Sequence, residues 1–467
     1  MVFASIFFLL FFLPVFFSIY GWVADRFRNL VLLIASLLFY AYGAPLFIWV
    51  LAASTFLNFY LVRRMDAELE RSRLWFRVSL VLNVGLLIVF KYANFTVESW
   101  NAMGLWTIGS WTKIALPIGI SFFTFQSLSY TIDVYRREER PLQSPFHYFI
   151  YIFSFPQMIA GPIVRFGIVA KELVSREFNR KGIEEGAERF IIGLAKKVIV
   201  ANGIAASFPV TGVEEWSTAG AWLALLAYTF QIYFDFSGYS DMAIGLGRIM
   251  GFHFPENFNR PYSAKSFTDF WRRWHMTLSF WMRDYLYIGL GGNRNGVGRT
   301  YANLLTVFVI SGFWHGASWN FLLWGLYHGL FLIIERLFLS NLLRKLPAFL
   351  AKLWTFFWVL IGWGIFALVD DFERGQLFGA LINPVVSASQ EFSVWNEFVD
   401  GVGGGPSAVL MVLALLLTIF PAYSWWEHLV HGSRPRWWRY LAYSCLLVIS
   451  LAELTGSTFN PFIYFRF

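Results

Sequence analysis

Apolar runs of roughly twenty residues recur along the whole chain, separated by short polar stretches. That length is about what an α-helix needs to cross a bilayer, where each backbone N–H and C=O must be paired within its own segment. Twelve spans are read: 4–23, 29–42, 45–62, 78–92, 114–134, 190–208, 220–236, 301–318, 320–338, 353–369, 407–425 and 438–454. The apolar stretch 146–163 is interrupted by Pro156, Gly161 and Pro162, which predicts a re-entrant passage enclosed by protein or lining water. Residues 257–300 are too polar to cross lipid. Phe267, Phe270, Trp271, Trp274, Leu278, Trp281 and Tyr285 nevertheless recur there at helical spacing, with Arg272, Arg273 and Arg283 off or beside the stripe. This predicts an amphipathic helix on, or dipping in from, the cytoplasmic side.

Composition sharpens the class. The 467 residues are 57% hydrophobic and only 14% charged, against about a quarter charged in soluble domains. The expected fold is an all-α polytopic membrane protein with 11–12 transmembrane helices plus re-entrant or interfacial helices, read as one membrane domain over 1–467. The apolar N-terminal run lacks a basic leader and a small-residue cleavage site, so it reads as a retained span. A single cysteine, Cys445, excludes an intrachain disulfide and Cys-based metal or iron–sulfur sites.

The formal charge of +8 is not a nucleic-acid signal, because its Lys and Arg fall in short loops between apolar runs. Loops 63–77 and 164–189 are basic, whereas 93–112 and 209–219 hold no Lys or Arg. The first pair is expected in the cytoplasm beside anionic headgroups, the second outside, with the N-terminus outside.

Ionisable residues inside the apolar runs carry the candidate chemistry. The stretch FWHGASWNFLLWGLYHG places His315 and His328 thirteen residues apart. On one continuous helix they would point about 220° apart; a break at Trp319–Asn320 would free them. His315 reads either as a functional imidazole or as a core histidine bonded to a neighbouring helix. His275 reads either as an interfacial residue beside arginines or as one facing a polar pocket. Asp235, Ser237, Tyr239, Ser240 and Asp241, in FDFSGYSDMA, lie where the 220–236 span is expected to end. They either cap a broken helix or line a substrate path. Of Lys196 and Lys197, at least one is expected to snorkel or line a cavity. The turn GLGGNRNG lacks a Gly-Lys-Ser/Thr ending, so Arg294 is placed near headgroups or near the phosphates of a cytoplasmic donor. Two classes fit these marks: an acyltransferase, or a proton-coupled transporter using His315, His275 and the carboxylates. No internal repeat is visible, which counts against the second.

FWRRWHMTLSFWMRDYLYIGLGGNRNG and SGFWHGASWNFLLWGLYHG resemble the membrane-bound O-acyltransferase family, as do PIGISFFTFQSLSYTIDVYRRE (117–138) and FPQMIAGPIVRF (155–166). The resemblance runs from the first span to the closing FIYFRF and is nearest to the bacterial cell-envelope branch. It implies a central tunnel joining the two membrane faces. It implies catalytic roles for His315 and His275, a supporting role for His328, and a supporting or tunnel-lining place for Trp314, Asp235, Asp241 and Arg273. Tyr464, in the 458–467 aromatic tail, is implied as an acyl acceptor, against the plainer reading of an interfacial anchor.

The implied reaction takes acetyl from cytoplasmic acetyl-CoA and passes it across the membrane for O-acetylation of an exopolysaccharide. Alginate is favoured; cellulose and peptidoglycan are alternatives. No cofactor or metal is expected to be bound. The implied partners are a periplasmic SGNH-hydrolase-like acetyltransferase, a polysaccharide assembly complex and membrane lipids, with no nucleic acid, in the bacterial inner membrane.

Overall fold

The computed structural model describes residues 1–104, 108–159, 161–211, 217–382, 407–419, 436–456 and Phe462. Among the described residues every regular element is helical. Each of the twelve expected spans contains a helix, with 420–425 of the eleventh outside the described residues. Leu69–Ala102, Arg180–Ser207, Trp319–Lys345 and Ala348–Ala367 are each long and apolar enough to cross a membrane. The chain is an all-α, polytopic membrane protein. Four is fewer than the eleven or twelve read from the sequence, because Phe8–Trp22, Ile120–Tyr135 and Ser407–Ile419 are shorter as described and other, longer helices carry polar side chains. Phe47–Ala67 buries Ser54, Thr55 and Asn58, and Thr218–Ile249 carries Asp235 and Asp241.

The chain divides into two compact units, Met1–Phe190 with Met242–Glu256, and Ile191–Asp241 with Asn257–Phe467. The first begins with α1 (Phe8–Trp22), α2 (Asp25–Gly43), α3 (Phe47–Ala67) and α4 (Leu69–Ala102). It continues with α5 (Ile120–Tyr135), α6 (Pro145–Phe153), α7 (Phe155–Met158) and α8 (Phe166–Val174). The proline-interrupted stretch is buried throughout Ile150–Ile159, as backbone broken at membrane depth requires. Phe155 packs edge-on against Phe12 and Phe16, at 5.4 and 5.2 Å between centroids.

A buried polar knot ties four helices of this unit. Asn58 Nδ2 donates to Tyr148 Oη at 2.7 Å, and Asn58 Oδ1 accepts from Ser79 Oγ at 2.6 Å and Asn83 Nδ2 at 2.8 Å. Thr131 Oγ1 lies 3.0 Å from Ser79 Oγ. Groups that would be costly alone in an apolar interior satisfy one another here.

The second unit starts within α9 (Arg180–Ser207) and takes α10 (Thr218–Ile249) as far as Asp241. It contains α11 (Phe267–Trp271), α12 (Met276–Trp281), α13 (Val297–His315), α14 (Trp319–Lys345), α15 (Ala348–Ala367), α16 (Asp371–Ile382), α17 (Ser407–Ile419) and α18 (Arg436–Gly456). Helix α10 runs unbroken through FDFSGYSDMA, so Asp235 to Asp241 cap nothing. The reason is a close helix crossing. A Cβ on Gly238 would lie 2.6 Å from Gly193 O and 3.0 Å from Lys197 N. That approach sets Lys197 Nζ 2.5 Å from Asp235 Oδ1, both side chains at most 3% exposed, and Lys196 Nζ 2.6 Å from Asp241 Oδ2. Both lysines therefore end on carboxylates of α10 instead of reaching for the membrane surface.

Helices α13 and α14 form a tight hairpin. A Cβ on Gly312 would meet Phe321 O at 2.2 Å, and one on Gly325 would meet Phe308 O at 2.4 Å. Lipid supplies no hydrophobic drive between helices, so close backbone packing through small residues does that work.

Removing one member of a buried ion pair leaves the other charge uncompensated, at a cost of about 3–5 kcal/mol, whereas apolar replacement of both is near neutral. Lys197→Met alone is expected to lower thermal stability in detergent sharply, and adding Asp235→Leu to restore most of it. Fluorescence-detected size-exclusion chromatography after a temperature series measures both.

Candidate active site

His315 is the last residue of α13 and is 4% exposed. Gly316 and Ser318 are extended, and α14 begins at Trp319. This break cancels the opposite-face relation that a single helix would impose on His315 and His328. The hairpin instead sets both against one indole, with Trp324 5.1 Å from His315 and 4.7 Å from His328. Trp314 and Phe366 close on His315 at 4.7 and 5.3 Å.

His328 sits in an aromatic box formed by Phe267, Trp271 and Tyr327, at 5.5, 5.1 and 5.2 Å. Gly362 lets α15 approach it, since a Cβ there would stand 2.9 Å from Nε2. Both ring nitrogens are buried without a hydrogen-bond partner among the described residues.

The single amphipathic helix expected from the stripe Phe267 to Tyr285 is broken. A tight turn at Pro261–Ser263 precedes α11, and α12 continues as a wider π turn over Met282–Tyr287. His275 lies at the break between α11 and α12 with φ 42° and ψ 54°, a left-handed conformation costing about 1–3 kcal/mol for a non-glycine residue. The loop from Asn257 to Asn259 pins it. Met276 N donates to Asn257 O and Asn259 N to Arg273 O, each at 2.9 Å.

The Asn257 side chain then fixes the imidazole. Its Oδ1 accepts from Thr277 N at 3.3 Å and Thr277 Oγ1 at 2.9 Å, while Nδ2 donates to Ser240 Oγ at 2.9 Å. A backbone N–H can only donate, so the atom facing Thr277 is the amide oxygen. His275 Nδ1, 3.0 Å from that oxygen, must therefore carry a proton. In the neutral ring this leaves the lone pair on Nε2, which is buried and without a hydrogen-bond partner among the described residues. Phe236 stands edge-on to the ring at 4.7 Å and Trp314 lies 6.2 Å away. Trp314 is thus in ring contact with both His275 and His315.

The other sequence candidates fall elsewhere. Asp235 and Asp241 are held by Lys197 and Lys196. Arg273 Nε donates to Asp269 Oδ1 at 2.7 Å, and its guanidinium reaches Asn259 O, so it braces the break. Phe462 is fully buried, stacked on Tyr239 at 4.6 Å and beside Phe236 at 5.7 Å. Tyr464 lies outside the described residues.

A cavity of about 900 Å³ opens within this unit. It follows one face of α13 through Leu304, Val307, Phe308 and Ser311, a spacing of three and four residues. Continuing that face by one turn, about 6 Å, reaches His315. Lys265, Arg272, Arg283, Arg336 and Arg344 line the cavity, as does Asn293 from GLGGNRNG. Arg283 is paired with Asp284, whereas Lys265, Arg272 and Arg336 form no ion pair among the described residues.

The membrane-bound O-acyltransferase family model matches residues 112–369, a span that holds α5 through α15 and therefore all three histidines, the Asn257 clamp and the cavity. The chain belongs to this family. It is 37% identical to a probable alginate O-acetylase of Pseudomonas putida over the whole of both chains. It is 45% identical to the corresponding protein of Pseudomonas aeruginosa over 78% of this chain and 72% of that one. It is 34% identical to a peptidoglycan O-acetyltransferase of Helicobacter pylori, over 94% and 92%. The molecule is a multi-pass membrane O-acyltransferase.

Four side chains of this acyltransferase escape sequence reading. Asn257 lies eighteen residues before the histidine it holds, in a polar loop with no periodicity. Trp271 and Trp324 look like ordinary apolar stripe residues. Glu335 reads as the polar end of an apolar run, yet it is 4% exposed and accepts from Phe267 N at 2.7 Å and Thr268 N at 3.3 Å.

Asn257→Ala frees the His275 ring from its fixed tautomer. Positioned acid–base groups contribute about 10²–10⁴-fold, and at least about tenfold of the acyl-transfer rate is expected to be lost. Asn257→Asp, which keeps the acceptor, is expected to lose less. Initial rates at matched expression, alongside thermal stability, measure the difference.

Proposed function

We propose that this chain is an O-acetyltransferase of the bacterial inner membrane that takes acetyl from cytoplasmic acetyl-CoA and passes it outward to an exported polysaccharide. The observation that carries the donor half is the basic cavity. Its cations without an ion pair among the described residues, Lys265, Arg272 and Arg336, suit the phosphates of a CoA thioester, and its lining on α13 includes Ser311, one helical turn from His315. The cluster of Lys265, Arg272, Arg283, Arg336 and Arg344 on its lining supports a cytoplasmic opening.

In the proposed step, His315 takes the proton of an acceptor hydroxyl as its oxygen attacks the thioester carbonyl carbon. The C–O bond forms, the C–S bond breaks, and CoA leaves as a thiolate that recovers a proton from the imidazolium. His275 Nε2 offers a second proton site for the attacking or leaving group. The dry aromatic walls strengthen every dipole that faces the developing oxyanion. Tyr464 is the proposed first acceptor. Phe462, two residues before it, is buried against Tyr239 and Phe236, and Phe236 touches His275. From a tyrosyl ester the acetyl group would pass to a periplasmic hydrolase-like partner and then to the polymer. Alginate is the proposed polymer on the strength of the Pseudomonas relatives. Peptidoglycan is the second reading, favoured by the Helicobacter relative.

His315→Ala and His275→Ala are each expected to cut acetyl-CoA-dependent transfer by about 10²-fold or more, with CoA affinity retained. Full activity in His315→Ala would remove it from the mechanism. Incubation with labelled acetyl-CoA followed by peptide mass analysis is expected to find acetyl on Tyr464. Transfer that continues with no acetyl at that position would remove the tyrosyl relay. Acetyl content of alginate against peptidoglycan in a deletion strain separates the two polymers.

A further inference from the structure

One face of α14 carries the α11 segment. Trp324, His328, Phe331 and Glu335 recur at spacings of four, three and four, which keeps them within about 60° of one another around a helix. Helix α11 lies against this face in the opposite sense. Phe267 stacks on Phe331 at 4.4 Å between centroids and reaches His328 at 5.5 Å. Trp271 meets His328 at 5.1 Å and Trp324 at 5.6 Å. At the Phe267 end, the Glu335 carboxylate accepts from Phe267 N at 2.7 Å and Thr268 N at 3.3 Å.

This short helix links the two proposed catalytic rings. It ends at Trp271, one turn before His275. The face it rests on carries Trp324, which stands 5.1 Å from His315. The position of α11 along α14 therefore bears on how far His275 lies from His315. Ring contacts are non-directional and leave that position soft, whereas a hydrogen bond weakens steeply as its geometry is lost. Capping alone does not call for Glu335, because a local cap is already in place: Ser266 Oγ accepts from Asp269 N at 3.1 Å. Glu335 adds a tie to a helix sixty-eight residues further along the chain. It is also the sole acid among the described residues that line the basic cavity, where a negative charge opposes phosphate binding. A carboxyl only 4% exposed is costly in such surroundings. We infer that Glu335 is a positioning residue for acyl transfer, which fixes the register of α11 on α14 and through it the separation of His275 from His315. The inference rests on the roles proposed above for the two histidines.

The test follows free thiol released from acetyl-CoA by inverted membrane vesicles. These come from a deletion strain of the native host carrying each variant at matched expression, with the uncomplemented strain as background. Glu335→Gln and Glu335→Ala remove the same charge from the cavity, so both are expected to share one KM for acetyl-CoA. Only the glutamine keeps an acceptor for Phe267 N. Glu335→Ala is expected to lose about 10–100-fold in kcat, the scale of a misplacement of about 1 Å, and Glu335→Gln to keep most of it. In a His275→Ala background the Glu335→Ala loss is expected to vanish, because a residue that acts through the imidazole has nothing left to position. If Glu335→Ala does not fold, Glu335→Asp, whose acceptor is withdrawn by one methylene, takes its place with the same expected pattern. A loss that multiplies on a slow His275→Ala, a glutamine variant as slow as alanine, or a difference confined to KM overturns the positioning role and leaves His275 in the mechanism. A fully active His275→Ala overturns the catalytic reading of that residue and the inference with it.

Discussion

The amide of Asn257 is the contact on which the candidate site turns. In an apolar interior an imidazole has no water to orient it, so its tautomer is whatever its one polar neighbour imposes. Asn257 imposes it through an oxygen that Thr277 has already identified by donating to it. The same residue ties its loop to the α11–α12 break through Met276 N. Backbone conformation at His275 and proton placement on its ring are thus both held by one residue, the first through its carbonyl and the second through its side chain. The ion pairs on α10 obey the same rule: Lys197 and Asp235 hold their positions because each is the other's only cheap alternative to water.

Much of the fold was legible in the pattern of apolar runs, because hydrocarbon enforces helices and their length. The polytopic class, the helical content of all twelve spans and the broken passage over 146–163 follow from that alone. What was not legible depends on contacts far apart in sequence. FDFSGYSDMA reads as the end of a span because Asp and Ser are poor company for lipid. The helix persists because lysines from α9 meet its carboxylates across Gly238. Residues 267–285 read as one amphipathic helix because the stripe keeps its spacing. The backbone breaks at His275 because Asn257 and Asn259 offer hydrogen bonds that a continuous helix would forgo. The pairing of the two motif histidines through Trp324 needed the Gly316–Ser318 break, which the polar residues near Trp319 only hinted at.

Small and large residues divide the labour around the site. Glycines at 312, 325 and 362 bring backbones together and bury His315 and His328 without bulk of their own. Indoles at 271, 314, 324 and 363 fill the remaining space with stiff rings of few rotamers. Helix packing fixes the first set, and the first set fixes the second. A side chain such as Trp271, unremarkable in a list of apolar positions, thereby acquires a definite place against His328 and Trp324.

The unpaired cations around the cavity have a further consequence under the proposed donor. They grip phosphates, the part of the carrier that deacylation leaves untouched. Loaded and spent carrier would be held almost alike, since they differ only by an acetyl group at the far end. Binding that is uniform along the reaction lowers KM without raising kcat. Turnover in the cell would then follow the ratio of acetylated to free carrier more closely than the amount of either, making polymer decoration a readout of the metabolic state on the opposite side of the membrane.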